Sequence, residues 1–456
     1  MRLLAPSPNT RVCLLGAGEL AAALQAAGHE LVESAPDLVI ASRGHERDAA
    51  SLAAPTVILL GAGARALRGY RTRTIVIRRG ATAPRLYVPV DSAPAVAHAL
   101  LAPAQGRGPL KRLAVRLAVA LARAGLPVVD HVTLATRGDD QPALLAAAGL
   151  GLGPDWYLLT GDGDDLQRGV WFCFGQDGRP EWVVKFSRVR GNMEPFDREA
   201  RGLELLGRHA PELAARAPRI AARFTVDGLP AAVETVGAGE RLQDLLEDGR
   251  APAGLIRSIA DWVTALGLAT RTGSIAGELR RLEQEVLPAW DVPADLVRGL
   301  PDLPAVLQHN DLGTWNVVAA GSDFTVLDWE SSREAGLPLW DLAYFLTDAL
   351  LERHGPEPAS VKTDAALRLL RGEAPASEDL FARLRTAAAG LGIAVESIGP
   401  LVTLGWLQHG LSARSRAERG GAPVGAASVG VLERLAQPWL ADPQLGPAWP
   451  ALVKRG

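Results

Sequence analysis

The sequence predicts an N-terminal α/β domain followed by an α+β unit of two lobes, a small antiparallel β lobe and a large helical one. Three observations predict it. Between residues 11 and 100, short runs rich in Val and Ile recur around a small-residue helix, as parallel strands buried on both faces do. From Trp156 the runs are joined by Gly/Asp loops and tight turns, the pattern of antiparallel hairpins. After Gly239 the chain is mostly helical to its end, apart from one short hairpin around residues 317–327.

In chain order, Arg11–Leu15 reads as the first strand and Glu19–Ala27 as a helix. Glu30–Val32, Leu38–Ala41, Val57–Leu60 and Thr74–Ile77 read as further strands of a domain assigned to residues 1–102. The Gly/Pro-rich stretch Pro103–Pro109 leads into an Arg-studded amphipathic helix, about Leu110–Ala124. Residues 137–155 read as a boundary, so 103–150 form a helical linker region. The β lobe, 151–236, holds strands over Trp156–Thr160, Val170–Phe174 and Glu181–Ser187. A helix over Phe196–His209, opened by Pro195, and strands over Phe224–Val226 and Ala231–Val236 complete it. The helical lobe is 237–456. A chain of 456 residues exceeds what one compact core organises, in keeping with two or three domains.

Composition excludes several classes. A formal net charge of -3 leaves no basic footprint for nucleic acid and no polybasic patch for anionic lipid. No apolar run reaches the roughly 20 residues that span a bilayer. The N-terminal apolar run leads into a glycine turn and reads as a strand, not a signal segment. The only cysteines, Cys13 and Cys173, lie in strand-like apolar runs, which predicts buried thiols and a cytoplasmic location. Cations are almost all Arg. The only lysines are Lys111, Lys185, Lys362 and Lys454, and the only asparagines Asn9, Asn192, Asn310 and Asn316. A Lys or Asn in an unusual place therefore carries information.

The densest signal is Val306-Leu-Gln-His-Asn-Asp-Leu-Gly-Thr-Trp-Asn-Val-Val318, which holds His309, Asp311 and Asn316 in the spacing His-x-Asp-x-x-x-x-Asn. Asp328 follows in Phe324-Thr-Val-Leu-Asp-Trp-Glu330. Val317–Ala319 and Phe324–Leu327 can pair as a hairpin, which puts Asn316 beside Asp328. Side-chain oxygens of an Asn and an Asp, together with phosphate oxygens, are the hard ligands that Mg²⁺ prefers. Asp311, one loop away, can accept a hydroxyl proton. Phosphoryl transfer needs this equipment: charge neutralisation at the phosphates and a carboxylate to orient the nucleophile.

The pattern resembles the catalytic loop and metal-binding Asp of protein-kinase-like enzymes, and more narrowly the aminoglycoside phosphotransferase and choline kinase group. In that group the metal Asp is commonly followed by an aromatic and an acid, as in Asp328-Trp329-Glu330. Pro338-Leu-Trp-Asp-Leu-Ala343 is similar to its Asp-Leu-Ala segment. The resemblance implies a bilobal protein-kinase-like fold with ATP and Mg²⁺ bound between its lobes. It implies Asp311 as catalytic base, Asn316 and Asp328 as Mg²⁺ ligands, and His309 and Asp341 as supports of the loop.

It also implies a β-lobe lysine paired with a helix acid. Lys185, in Glu181-Trp-Val-Val-Lys-Phe-Ser187, is that lysine, a compact charge suited to phosphate oxygens and to catalysis. Glu199 is its expected partner, with Glu204 as the fallback. The stretch Thr160–Gly169 stands where a phosphate-covering loop belongs, with Gly161 and Gly163 as nucleotide-binding candidates. It lacks the Gly-x-Gly-x-x-Gly spacing, and Asp162, Asp164 and Asp165 suit an acidic hairpin tip facing water equally well. Ala231–Gly239 resembles the hinge, where backbone near Glu234 and Val236 would bind adenine.

Near the N-terminus, Gly16-Ala-Gly18-Glu-Leu-Ala21 lies between a strand and a helix, and Glu33 closes the next strand. This resembles the nucleotide end of a Rossmann-like domain of the dinucleotide-binding or S-adenosylmethionine-dependent methyltransferase type. Short strands and trimmed loops favour a degenerate form. The readings together imply an ATP- and Mg²⁺-dependent phosphotransferase acting on a hydroxyl of a small molecule, with neither nucleic acid nor membrane as partner. Two alternatives stay open: a non-catalytic nucleotide-binding scaffold, and an activity residing in the N-terminal methyltransferase-like domain.

Overall fold

The structure, a computed structural model, describes residues 11–26, 28–63, 65–79, 84–102, 109–124, 126, 130–138, 142–160, 166, 168–352, 359–419, 435–445 and 449. The chain divides into two compact units, Met1–Asn192 with Ile220–Val236, and Met193–Arg219 with Gly237–Gly456.

A sheet of 12 strands organises the first unit. Its strands are β1 (Arg11–Leu15), β2 (Glu30–Leu31), β3 (Leu38–Ser42), β4 (Thr56–Leu60), β5 (Arg71–Arg79) and β6 (Pro84–Pro89), then β7 (His131–Thr136), β8 (Trp156–Thr160), β9 (Gly169–Phe174), β10 (Pro180–Phe186), β11 (Ile220–Val226) and β12 (Leu229–Thr235). Their order is β11-β12-β10-β9-β8-β6-β5-β7-β4-β3-β1-β2. Strands β2, β1, β3 and β4 run parallel, and the Val and Ile side chains of β1, β3 and β4 are buried. From β4 onward every pairing is antiparallel. The sheet does not stop between the α/β strands and the small-lobe strands: Leu86 and Tyr87 of β6 pair with Leu159 and Leu158 of β8. Strands β6 and β7 are additions to the sequence reading, and β5 is longer than Thr74–Ile77. Trp156, Trp171 and Phe186 fill the core on one face, the two indoles edge to face at 4.6 Å. Cys13 and Cys173 are free, buried thiols.

In the second unit, helix Glu194–His209 packs on the turn Trp329–Ser331. Strands β13 (Glu240–Arg241), β15 (Val317–Ala320) and β16 (Asp323–Val326) form one small sheet, and β14 (Val306–Gln308) pairs with β17 (Arg333–Gly336). The approach to β13 depends on Gly239: its φ is +108, and a Cβ there would lie 1.9 Å from the Ala319 carbonyl oxygen. The rest is helical, with Leu255–Ala269, Trp340–Glu352, Ser377–Leu391 and Val395–Arg419 around one core. Trp340–Glu352 is buried along its whole length. A helix so enclosed has to satisfy its acids, Asp341, Asp348 and Glu352, inside the protein, and two of them do so on the loop described next. Among the described residues no single helix is long and apolar enough to cross a membrane.

Candidate active site

Strand β14 delivers the chain into the loop His309–Asn316. The first helix acid holds its entry: Asp341 Oδ2 accepts from His309 N at 2.6 Å and Oδ1 from Asn310 N at 2.8 Å. Burial pushes the Asp341 carboxyl up to about 7, against the two backbone N–H groups that pull it down. The second acid, Asp348, accepts from Thr314 N at 2.6 Å. Burial raises its carboxyl as well, with Thr314 opposing. The buried His309 ring meets two backbone partners of fixed role. The Leu327 carbonyl, 2.8 Å from Nε2, can only accept, and the Asp311 N–H, 3.3 Å from Nδ1, can only donate. These two contacts suit an Nε2–H ring.

Asn310 is left-handed, with φ 71, a conformation that Asn tolerates better than most side chains. Its Oδ1 accepts from two amides, Gln308 Nε2 at 3.0 Å and Gln408 Nε2 at 2.9 Å. Asp311 follows. The Asn316 amide nitrogen bridges the Asp311 carbonyl oxygen at 2.8 Å and carboxylate Oδ2 at 3.1 Å. The expected hairpin forms: Val317 pairs with Val326, and Leu327 N donates to Asn316 O at 2.7 Å, so Asn316 faces the residue before Asp328. Asp328 is itself left-handed, with φ 65.

With Asn316 Nδ2 committed to Asp311, its Oδ1 points the other way and makes no hydrogen bond among the described residues. An amide oxygen and the Asp328 carboxylate are donors of the hard type that Mg²⁺ takes together with phosphate and water oxygens. The described residues hold no cluster of three or more His, Cys, Asp or Glu that would form an all-protein cage.

Glu199, fully buried in helix Glu194–His209, accepts from Trp329 N at 3.2 Å and so braces the turn just after Asp328. Glu204 lies on the same helix and pairs with Arg208 and Arg201 at the surface. In the first unit, Lys185 on β10 reaches Glu234 on β12 at 3.0 Å, both side chains largely buried. The register opposes Lys185 to Ala232 and Val183 to Glu234, so the pair is a cross-strand diagonal. Val236 follows the end of β12. Gly161 and Gly163 lie outside the described residues. The amides of Gln308 and Gln408 escaped the sequence reading, as did the loop-holding role of Asp348. For the last a signal existed: Asp341, Asp348 and Glu352 are the acids on one face of a mostly apolar segment.

Residues 159–381 match the model of the phosphotransferase enzyme family (APH). The matched segment is just under half of the chain, which is similar to that family over this stretch. It encloses Lys185, Glu199, Glu234, Asp311, Asn316 and Asp328. The chain also shows similarity to solved structures, among them two aminoglycoside phosphotransferases. One is aminoglycoside phosphotransferase APH(3'')-Id from Streptomyces rimosus, at 17% identity and TM-score 0.31, covering 57% of this chain and 96% of that one. The other is aminoglycoside-3'-phosphotransferase of type VIII, at 17% identity and TM-score 0.32, covering 54% and 97%. No curated protein matches the sequence.

Proposed function

We propose that the protein is a phosphotransferase that moves the γ-phosphoryl group of ATP to a hydroxyl of a small molecule, with Asp311 as the base. The observation that carries this reading is the Asn316 amide bridging the main-chain and side-chain oxygens of Asp311, which fixes the carboxylate while leaving an amide oxygen for a metal. Asp311 orients the acceptor hydroxyl and takes its proton as the new P–O bond forms. Asn316 and Asp328 would hold Mg²⁺, which supplies neutralising charge at the phosphates when bound. Lys185, aligned by Glu234, adds a point charge for phosphate oxygens. His309, Asp341 and Asp348 keep the loop in one geometry, so little reorganisation is needed at the moment of transfer.

The N-terminal α/β strands we read as a Rossmann-like remnant without a cofactor. In support, β2 is two residues long and the helix after the glycine turn only six, Ala21–Ala26, short for a dinucleotide-binding unit.

Asp311→Ala tests the main reading. Turnover, followed as ADP release with a panel of hydroxylated acceptors, is expected to fall on the order of 10²-fold or more. ATP affinity, measured by calorimetry, is expected to stay nearly intact. Full turnover in that variant would end the assignment.

A further inference from the structure

Next to the catalytic loop the second unit carries a guanidinium with unused donors. Arg333 stands directly opposite Gln308 in the β14–β17 pair, and directly opposed residues project to the same face. On that face the Gln308 amide holds Asn310, the neighbour of Asp311. Arg333 Nε is buried and makes no hydrogen bond among the described residues. Its Nη1 lies 3.6 Å from Glu278, too far for a hydrogen bond.

A second guanidinium comes to the same place from another element. Arg281 Nη2 donates to Gln408 Oε1 at 2.5 Å, and Gln408 Nε2 donates to the same Asn310 oxygen at 2.9 Å. Glu278 lies between the two arginines and is committed to Arg281, which it grips with both oxygens at 2.8 and 2.9 Å. Glu285 takes the outer edge of Arg281 at 3.1 Å. The Glu278 side chain is 7% exposed, Arg281 and Arg333 are 24% and 30% exposed, and Glu285, which pairs with Arg281 and not with Arg333, is 63% exposed. Burial, with Arg281 and Arg198 nearby, pushes the Arg333 guanidinium down from its ordinary value, and Glu278 only partly offsets this.

A half-buried guanidinium beside a like charge, with donors unmade, is unfavourable by itself and is relieved by an anion that accepts from its fork. We propose that Arg333, backed by Arg281, is an acceptor-side anion site, and that the molecule phosphorylated here bears a carboxylate or phosphate group in addition to its hydroxyl. The inference rests on the phosphotransferase reading for the placement of the acceptor at Asp311.

Calorimetry on the full chain, with the nucleotide site filled by ADP and Mg²⁺, tests it on four probes of one scaffold: gluconate, glucose 6-phosphate, glucose and glucosamine. The expected result is that one or both anions bind at least about tenfold tighter than glucose and glucosamine, since a charge-assisted fork contact is worth that much. Whichever anion binds tighter tells carboxylate from phosphate. Arg333→Gln is expected to abolish the preference and Arg333→Lys to restore part of it, with unchanged ADP affinity as the check on folding. Equal or weaker binding of both anions, or a preference that survives Arg333→Gln, overturns the proposal. The two readings fail separately. Asp311-dependent phosphorylation of amine-bearing acceptors alone would retain the kinase and discard the anion site. Arg333-dependent anion binding with ATP turnover indifferent to Asp311→Ala would do the reverse.

Discussion

The residue that most tightly couples the fold to the chemistry is Asp341, because both of its oxygens accept from the backbone of the loop that carries Asp311. Asp341→Asn replaces one acceptor by an NH₂ donor that faces an N–H, a mismatch worth about 1–3 kcal/mol. Turnover is expected to fall with little change in ATP affinity. The acid form of wild type loses one of the same contacts. With the carboxyl raised to about 7, kcat is expected to drop on the acid side of neutrality. Stability moves the opposite way. The folded carboxyl keeps its proton to a higher pH than the unfolded one, whose value is about 3.9. The stabilisation from protonation is thus complete below about pH 4 and is lost as pH rises toward about 7. The check is kcat and thermal midpoint against pH for both chains: the midpoint of wild type relative to Asp341→Asn should decline from pH 5 to 8 while kcat of wild type rises. An acid limb that persists unchanged in Asp341→Asn would assign it to another group.

At the scale of elements, the loop is only as well placed as helix Trp340–Glu352, and that helix depends on a close approach by its neighbour. A Cβ at Gly405, in helix Val395–Arg419, would lie 2.0 Å from Cε3 of Trp340, whose ring is 1% exposed and has no room to yield. Gly405→Ala is expected to cost about 2 kcal/mol by overpacking and to lower kcat together with the urea midpoint, since Trp340 precedes Asp341. A loss of stability with kcat intact would separate this contact from the loop. The elements also differ in how readable they are. Strands β1, β3 and β4 are continuous apolar runs, and the sequence marks them to within about a residue. Strand β6 is Pro-Arg-Leu-Tyr-Val-Pro, with a proline at each end, and β7 buries His131, Thr133 and Thr136, so neither announces itself by hydrophobicity. The spacing from His309 to Asp328 was legible because its chemistry sits in one short stretch. Gln408 was not, since an amide on a long helix reads as surface until folding brings it to Asn310 across 98 residues.

For the molecule as a whole, the continuous sheet of the first unit bears on how the chain can be cut. The sequence reading ends the linker at 150 and starts a separate β lobe at 151. Removing residues 1–150 would strip β6 from β8 and leave Trp-Tyr-Leu-Leu-Thr as an unpaired edge, an apolar strand with open backbone donors and acceptors. The same cut takes away the side chains that cover Tyr157 and Phe174, among them Leu86, Val88, Val96 and Val119. It also removes His98, whose ring stacks on Tyr157 and whose Nδ1 lies 3.1 Å from the tyrosine hydroxyl. Residues 151–456 alone are therefore expected to self-associate in size-exclusion chromatography and to melt below the full chain. ATP affinity should weaken with them, because Lys185 lies on β10, joined to that edge only through β9. A monomeric 151–456 fragment that binds ATP and melts like the full chain would mean that the β6–β8 pairing contributes continuity without stability, and that the small lobe folds on its own.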